Sequence, residues 1–299
     1  MNVRKAIRRV AVPAPAKINL FLAITGKRSD SFHEILSVVS KINLFDLVTL
    51  EQTNQSNELS CLCPENPSLA NLENLACVAV KEWRKFTGDK TGFRIKLKKK
   101  IPVMAGMGGG SSDAVATLKA LNIFHGHALT ETQLIELASR IGSDCPLFFK
   151  NGLIAVEGRG EIVNSISSEK NNEWKGKPIL IFQPNIEFST SSMYGLLAKN
   201  ESYSDSNWAK SRFERWKNGP ISGLELYHND FESVIFKKYL FIEPLFTVLK
   251  EKFDLTFHVS GSGSCCFCFI NDETDFGVVK KEIKRCLGEH TKFWISQTL

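Results

Sequence analysis

A glycine-rich segment near the middle of the chain combines several groups that could bind phosphate. Residues 102–114 read PVMAGMGGGSSDA and stand between a predicted strand and a predicted helix. Glycine backbones can approach a phosphate closely, and the following helix presents its positive N-terminal end. Ser111 and Ser112 add hydroxyl donors. A flexible loop ending in a serine cap is the alternative, but strand, glycines, serines and helix in this order favour phosphate binding.

Other nucleotide-binding patterns do not fit this chain. No Lys-Ser or Lys-Thr pair follows the last glycine, so the segment is not a Walker A loop, and the third glycine position of GxGxxG is occupied by Ser111. VAVK at 78–81 and DFG at 275–277 resemble protein-kinase fragments. The first lies in a predicted helix and no HRD-type loop precedes the second, so both are interpreted as accidental.

Two further places could do chemistry. Asp144 opens the apolar run CPLFF, where an unpaired carboxylate is costly; Lys17 is the candidate partner, and a simple turn cap is the alternative. Phe32 and His33 could stack on and hydrogen-bond a base. From the residues alone, a histidine buried with its hydrogen bonds satisfied is the preferred interpretation of that pair.

The elements that position these residues are predicted from hydrophobic periodicity. Strands are predicted at 17–25, within 34–50, at 92–102 with a charged outer face, at 178–184, and on both sides of a turn within 255–270. Helices are predicted at 71–86, from Ser112 to 124, from Thr130 onward and at 275–290. The helix at 275–290 is the last predicted element. The polar stretch 165–178 indicates a boundary between domains 1–172 and 173–299.

Composition restricts the class of protein. The 299 residues are 43% hydrophobic and 23% charged, with a net charge of +6 that suits an anionic partner or reflects surplus surface lysine. KLKKK at 96–100 is interpreted as a solvated strand face rather than a nucleic-acid site. Eight cysteines without CxxC spacing, no secretory segment and no membrane-length apolar run predict reduced thiols in a cytoplasmic protein without a membrane partner.

Three blocks of the sequence together resemble the GHMP kinase superfamily. The glycine segment resembles the PxxxGxGSS loop that covers the ATP phosphates, with Met107 where the family usually has leucine. APAKINLFL at 14–22 resembles the first motif, and VSGSGSC at 259–265 resembles the third, a glycine turn that packs beside the phosphate loop. Each could be structural alone, but the three in order span nearly the whole chain.

Smaller pieces resemble the branch that phosphorylates diphosphocytidyl methylerythritol. They are GGGSSDA, GSDCPLFF at 142–149 for the branch's GADVPFF, and RSDSFH at 28–33 for its RxDGYH. Phe32 replaces tyrosine and loses a hydroxyl, and Ser31 replaces glycine, which we expect to shift the local backbone. Asn229–Glu232 resembles a helix start of the family and is interpreted as capping.

The resemblance implies a fold of two α+β domains with the active site in the cleft between them. The implied reaction moves the γ-phosphoryl group of ATP to a hydroxyl of diphosphocytidyl methylerythritol, in isoprenoid precursor synthesis. Asp144 would accept or orient the hydroxyl proton, and Lys17 would orient Asp144 and offset developing charge. Mg²⁺ would bridge the phosphates, with Ser112 as its candidate protein ligand. A homoserine or mevalonate type of kinase and a non-catalytic nucleotide sensor are the alternatives.

The resemblance also assigns binding residues. Contacts with ATP are assigned to Pro102, Val103, Met104, Ala105, Gly106, Met107, Gly108, Gly109, Gly110, Ser111, Ser112, Asn74 and Lys100. Contacts with the cytidyl diphosphate substrate are assigned to Asn19, Phe32, His33, Ser189 and Thr190, with Phe32 and His33 holding the cytosine ring. We further expect Gly109 to have a backbone conformation that only glycine tolerates.

Overall fold

The computed structural model describes residues 8–166, 173–219 and 227–299, and it confirms a mixture of helices and strands. The strands are β1 Arg9–Lys27, β2 His33–Gln52, β3 Leu59–Leu62, β4 Phe93–Lys98, β5 Leu153–Gly158, β6 Ile162–Ser165, β7 Pro178–Gln183, β8 His228–Asn229, β9 His258–Val259, β10 Cys266–Phe269 and β11 Lys292–Gln297. The helices are α1 Leu75–Thr87, α2 Gly109–Phe124, α3 Glu131–Ile141, α4 Thr190–Lys199, α5 Ser206–Asn218, α6 Asp230–Lys238, α7 Ile242–Phe253 and α8 Phe276–Leu287.

The chain forms two compact units that are not continuous in sequence. The first contains Leu44–Val103, Gly108–Lys150 and the described residues up to Ala16. The second contains Lys17–Asn43, Met104–Met107 and the described residues from Asn151 to the C-terminus. Strands β1 and β2 and the glycine segment therefore contribute residues to both units. The predicted boundary at residue 172 falls within 167–172, outside the described residues, so the division into 1–172 and 173–299 stays a prediction.

In the first unit, helices cover a sheet whose inner face is apolar. The second half of β2 pairs antiparallel with β4, and β4 pairs parallel with β3. Along β4 the apolar side chains are buried and the basic ones are exposed, as its alternation predicts. Helices α1, α2 and α3 pack against one another. The large buried side chains Trp83 and Phe93 belong to this core.

In the second unit, strands pair in two groups. The first half of β2 pairs antiparallel with β5, β5 pairs with β6, and β1 pairs parallel with β8. A separate four-stranded antiparallel sheet has the order β11-β7-β10-β9. The strand–turn–strand prediction for 255–270 is confirmed by β9 and β10. Strand β11 was not predicted, because as an edge strand it buries only Ser296 and lacks a clean apolar alternation.

The start of α2 differs from its prediction. The helix begins at Gly109, three residues before the predicted Ser112, because Gly108 serves as its N-cap with a φ of 68° and no side-chain cap is used. The predicted start of α3 is confirmed, since Thr130 and Gln133 form a capping box. The VAVK and DFG fragments are helical or capping residues, with Asp275 as the N-cap of α8.

The state of the cysteines and the length of the apolar helices were also predicted from the sequence. All eight cysteines are free thiols, and seven of them are buried. Among the described residues, no helix is long and apolar enough to cross a membrane.

Candidate active site

The middle of the glycine segment is held by the two other motif blocks within the second unit. Three consecutive carbonyls, those of residues 105–107, each accept one hydrogen bond. The Cys265 N–H donates to the first at 3.3 Å, the Ser260 hydroxyl to the second at 3.1 Å and the Lys17 N–H to the third at 3.0 Å. The three blocks that were recognised separately in the sequence therefore meet in one place, and the third does pack beside the loop.

Close packing explains why Gly106 is glycine. Its φ is 73°, and a Cβ atom there would lie 1.9 Å from the carbonyl oxygen of Ser260. The expectation that Gly109 needs a glycine-only conformation is wrong, since positive φ values within the segment's glycines occur at Gly106 and Gly108. Gly109 instead avoids crowding, because a Cβ atom there would lie 3.1 Å from the side chain of Ile101.

Lys17 and Asn19 are buried beside the glycine turn of the third motif. The Lys17 ammonium donates to Asn19 Oδ1 at 2.5 Å, and Asn19 Nδ2 donates to the Ser37 hydroxyl at 3.0 Å. A Cβ atom at Gly261 would lie 3.3 Å from Lys17 Nζ and 3.1 Å from Asn19 Oδ1. This places an ammonium and an amide directly against the turn. The arrangement could stabilise negative charge that develops on a reacting group.

In the first unit, the ends of the glycine segment are held by a buried charge cluster. The Lys99 ammonium donates to Asp46 Oδ2 at 2.5 Å and to Asp113 Oδ2 at 2.6 Å. Burial alone would lower the pKa of Lys99, but the carboxylates of Asp113 and Asp46 hold that pKa above its usual value. Burial raises the pKa of Asp113 to about 7, against the opposing effect of Lys99. Sequence reasoning missed this cluster.

Lys100, rather than Lys99, was the basic residue assigned to the loop entrance. The Lys100 side chain is exposed, and its backbone N–H donates to Asp46 Oδ1 at 2.5 Å. The lysine built into the loop entrance is Lys99, whose side chain is 8% exposed. Three lysines in a row at 98–100 gave no signal that could separate them. A contact of Lys100 with ATP stays a prediction.

The N-terminal turn of α2 carries the two serines. The Ser112 hydroxyl is buried and has no hydrogen-bond partner among the described residues. The Ser111 side chain forms a hydrogen bond with the thiol of Cys145. Burial raises the pKa of that thiol to about 12. Cys145 follows Asp144, which is half-buried in the turn between α3 and the short 3-10 helix Pro146–Phe149. The carboxylate segment and the serines of the loop are therefore neighbours within the first unit.

Asn74 has a structural role near the same helix start. Its Oδ1 accepts from the Ala76 N–H at 3.0 Å as the N-cap of α1, and its Nδ2 donates to the Leu69 carbonyl at 3.0 Å. A Cβ atom at Gly110 would lie 3.5 Å from Leu75, so the starts of α1 and α2 are adjacent. The assigned contact of Asn74 with ATP stays a prediction.

His33 lies in an aromatic environment within the second unit. Its ring stacks on Tyr194 with centroids 4.5 Å apart and packs against Tyr203 at 6.0 Å. The Nε2 atom is buried and has no hydrogen-bond partner among the described residues. Burial, helped by the charge of Lys27, lowers the pKa of His33 and favours the neutral imidazole. Neither tyrosine was predicted, because nothing in the sequence marks them as neighbours of His33.

The two replaced residues, Ser31 and Phe32, lie in the bend directly before His33. Ser31 has a φ of 69°, the left-handed conformation that glycine adopts easily, and the expected shift of the backbone stays a prediction. Phe32 is 46% exposed, and the Arg159 guanidinium lies 4.8 Å from its ring centroid. The phenyl ring is thus available as a stacking surface.

Ser189 and Thr190 lie at the start of α4, next to the third motif. The Ser189 hydroxyl caps the helix by accepting from the Ser192 N–H at 3.4 Å. The Thr190 hydroxyl is 2.9 Å from that of Ser262. Thr190 is therefore tied to the glycine turn, and Ser189 caps the helix beside it. Asn229 caps α6, which confirms the capping interpretation of that segment.

Comparisons with known proteins show which family this chain belongs to. The description "GHMP kinases N terminal domain" matches residues 74–152, and "GHMP kinases C terminal" matches residues 220–289. A 4-diphosphocytidyl-2-C-methyl-D-erythritol kinase of Protochlamydia amoebophila (strain UWE25) is 36% identical over 260 residues, which cover 85% of this chain and 82% of the relative.

Solved structures extend the likeness to the fold. A crystal structure of 4-(cytidine 5'-diphospho)-2C-methyl-D-erythritol kinase has a TM-score of 0.73 and 26% identity, covering 96% of this chain and 99% of the other. A crystal structure of mevalonate kinase has a TM-score of 0.69 at 16% identity, covering 97% and 99%, and shows a shared fold alone. The chain belongs to the GHMP kinases and, among them, to the family of the 4-diphosphocytidyl-2-C-methyl-D-erythritol kinases.

Proposed function

We propose that this chain transfers the γ-phosphoryl group of ATP to a hydroxyl of 4-diphosphocytidyl-2-C-methyl-D-erythritol, giving the 2-phosphate and ADP in isoprenoid precursor synthesis. The observation that carries the proposal is the 36% identity, over 85% of this chain, to a kinase named for that substrate. Family membership accounts for the kinase activity and the use of ATP. The phosphate loop and the polar side chains around it account for how this chain would perform the transfer.

The glycine segment binds the ATP phosphates. Its backbone is held at the carbonyls of residues 105–107 by the other motif blocks, so this part of the loop is ordered before the nucleotide arrives. The start of α2 adds four N–H groups without intrahelical partners and the positive end of the helix dipole. Phosphoryl transfer depends chiefly on positioning and on charge stabilisation, which such a loop supplies.

Ser112 fits the role of a protein ligand for Mg²⁺. Its buried hydroxyl has unused hydrogen-bonding capacity at the N-terminal turn of α2, and hydroxyl oxygen suits this cation. When bound, Mg²⁺ would neutralise charge on the β- and γ-phosphates. Ser112 would hold the cation next to the phosphates that the loop binds.

Asp144 accepts or orients the proton of the substrate hydroxyl. Its neighbour Cys145 bonds with Ser111, which keeps the carboxylate close to the start of the phosphate loop. Lys17 and Asn19 form the second polar pair, against the glycine turn of the third motif. In the proposed mechanism, Lys17 orients the carboxylate and offsets the charge that develops during transfer.

His33 and Phe32 recognise the cytosine ring. The buried Nε2 atom of His33 needs a hydrogen-bond partner, which the edge of a pyrimidine would provide. The exposed face of Phe32 offers stacking, although its lack of a hydroxyl removes one contact that tyrosine would make. Ser189 and Thr190 would contact the substrate, an assignment that the bond between Thr190 and Ser262 of the third motif supports.

The alternatives differ in their acceptor. A mevalonate or homoserine kinase would have no use for a pyrimidine pocket, and a non-catalytic sensor would have no use for Lys17 and Asp144. A coupled assay of ADP release should therefore be run with the cytidyl substrate, its uridine counterpart, mevalonate and homoserine. We expect kcat/KM for the cytidyl substrate to exceed that for mevalonate and homoserine by on the order of a hundredfold or more. Faster turnover of mevalonate or homoserine, or no ADP release with any acceptor, would contradict the proposal.

A further inference from the structure

Three charged side chains beneath the glycine segment form a buried cluster that we call the Lys99 clasp. Its members are Asp46 within β2, Lys99 directly after β4, and Asp113 in the first turns of α2. Their side chains are 0%, 8% and 3% exposed. The ammonium bonds to one carboxylate oxygen of each aspartate, at 2.5 and 2.6 Å.

The clasp joins both ends of the glycine segment. Asp46 Oδ1 accepts from the Lys100 N–H at 2.5 Å and from the Ile101 N–H at 2.9 Å, so this carboxylate fixes the backbone that enters the segment. Asp113 lies on the helix that leaves it. Lys99 Nζ is also 3.4 Å from where a Cβ atom of Gly109 would be. The ammonium is thus directly behind the first residue of α2.

We propose that Lys99 is a positioning residue for the nucleotide, which through Asp46 and Asp113 holds the entry and the exit of the phosphate-binding segment at a fixed separation. The inference rests on the proposed function, because it takes the segment to be the site of the ATP phosphates. Lys99 acts through the backbone and does not contact ATP. Such a residue raises affinity by ordering the N–H groups in advance, so that binding does not have to order them.

Burying these three charged side chains costs free energy, so the cluster needs a role other than stabilising the fold. Three buried charges lose hydration that their mutual attraction regains only with good geometry, and apolar side chains of similar volume are often as stabilising. One ammonium also faces two carboxyl groups, and the cluster carries excess negative charge whenever both are ionised. Asp113 is fourteen positions after Lys99, and the bond between them closes the intervening loop. The cluster therefore fixes the conformation of that loop.

Asp113→Ala is the most informative variant. It removes the bond between Lys99 and α2. Lys99 and Asp46 remain as a pair of opposite charges, so no buried charge is left without a partner. Asp113→Asn is the conservative match, since its carbonyl oxygen can still accept from the ammonium. Lys98→Met is the control, because Lys98 is the exposed lysine next to Lys99. Affinities for ATP and for the cytidyl substrate are measured by calorimetry well below each variant's unfolding temperature.

We expect Asp113→Ala to weaken ATP binding by about tenfold, the loss of one charge-assisted hydrogen bond, with the affinity for the cytidyl substrate unchanged. Asp113→Asn should restore ATP affinity to near that of wild type, and Lys98→Met should leave it unchanged. If Asp113→Ala does not fold, the triple variant Asp46→Asn, Lys99→Met, Asp113→Asn removes all three charges together and should show the same selective loss.

A folded Asp113→Ala protein with wild-type ATP affinity and a lower Tm would show that the clasp only stabilises the fold, and would overturn the inference. So would an Asp113→Asn protein that binds ATP as weakly as Asp113→Ala. Calorimetry needs no phosphoryl transfer. Failure of wild type to phosphorylate the cytidyl substrate would therefore contradict the proposed function while these ATP affinities still tested the clasp.

Discussion

Asp144 carries the chemical step at the residue scale. The Asp144→Asn variant keeps the size of the side chain but cannot take a proton, so we expect kcat to fall by on the order of a hundredfold or more. ATP affinity should remain close to that of wild type, because the phosphates are bound by the loop. Steady-state kinetics and calorimetry check both parts, with Asp272→Asn, an exposed carboxylate, as the control. Turnover within a few-fold of wild type would remove Asp144 from the mechanism.

His33 tests substrate recognition separately from catalysis. His33→Ala removes the imidazole edge and leaves the loop untouched, so the KM for the cytidyl substrate should rise by about tenfold or more while that for ATP stays the same. Preference for the cytidyl over the uridyl substrate should shrink as well, because the two bases differ in donor and acceptor at that edge. Both KM values are measured with His290→Ala, an exposed histidine, as the control. Equal weakening of both substrates would mean that His33 only packs the fold.

Sequence patterns identify residues that lie in motifs and miss residues that reach the site through space. Gly106, Lys17 and the third glycine turn come from motifs, and the structure brings them together. Tyr194 and Tyr203 contact His33 from helix-rich sequence more than 150 positions away, so no spacing reveals them. Lys99 was passed over for Lys100 because adjacent lysines differ only in which one the fold buries.

The glycine segment can be tested at the scale of the element with two matched glycines. Gly106 and Gly126 have φ values of 73° and 69°, so alanine at either incurs the same left-handed strain, about 1 kcal/mol. A Cβ atom at Gly106 would also collide with the Ser260 carbonyl, whereas one at Gly126 meets nothing within 4 Å. We expect Gly106→Ala to lower the Tm further than Gly126→Ala and to weaken ATP binding, which Gly126→Ala should not do. Equal effects on both measurements would show that the contact with Ser260 is dispensable.

Elements with strong local signals were predicted well, and elements defined by their neighbours were not. Strand β4 and helix α3 follow directly from alternation and from the Thr130 capping box. Helix α2 starts earlier than predicted because Gly108 caps it through its backbone conformation rather than through a side chain. Strand β11 forms by pairing antiparallel with β7 at the edge of the sheet. Such pairing leaves little hydrophobic alternation in the sequence of the edge strand.

At the scale of the whole molecule, Glu232 makes stability depend on pH. It lies on α6 with a side chain that is 20% exposed, and burial raises its pKa from 4.5 to about 7 although the hydrogen bond from the Val259 N–H favours the ionised form. A carboxyl whose folded pKa is raised contributes its stability fully below the unfolded pKa. That contribution is lost as the pH rises through the folded value. The contribution of Glu232 to stability should therefore be lost between about pH 4.5 and pH 7.

Glu232→Gln should remove that loss, because the amide oxygen can still accept from Val259 and never ionises. The free energy of unfolding of the variant relative to wild type should increase from pH 5 to pH 8 by on the order of 3 kcal/mol, at 1.36 kcal/mol per pKa unit. His258, whose Nδ1 is 3.8 Å from Glu232 and whose pKa burial lowers to about 4, titrates in both proteins and largely cancels. Urea unfolding at several pH values checks this, with Glu243→Gln as the exposed control. A difference that does not vary with pH would contradict it.

The overall fold class and the family were accessible from the sequence because three motifs at long separation constrain the whole chain. The interleaving of the two units was not accessible. The glycine segment gives Met104–Met107 to one unit and its flanks to the other, and strands β1 and β2 are divided in the same way. A change of composition can indicate a linker between consecutive domains, but it carries no signal when a continuous strand serves both units.

The central claim is that phosphate is added to an alcohol of the cytidyl substrate, and ³¹P NMR of the reaction products tests it most directly. Wild-type protein, ATP, Mg²⁺ and 4-diphosphocytidyl-2-C-methyl-D-erythritol should give one new phosphomonoester resonance for each ADP formed, with the diphosphate resonances of the substrate retained. Asp144→Asn under the same conditions should give almost none. ADP accompanied by inorganic phosphate and unchanged substrate, or a new resonance on the diphosphate chain instead of a monoester, would contradict the account.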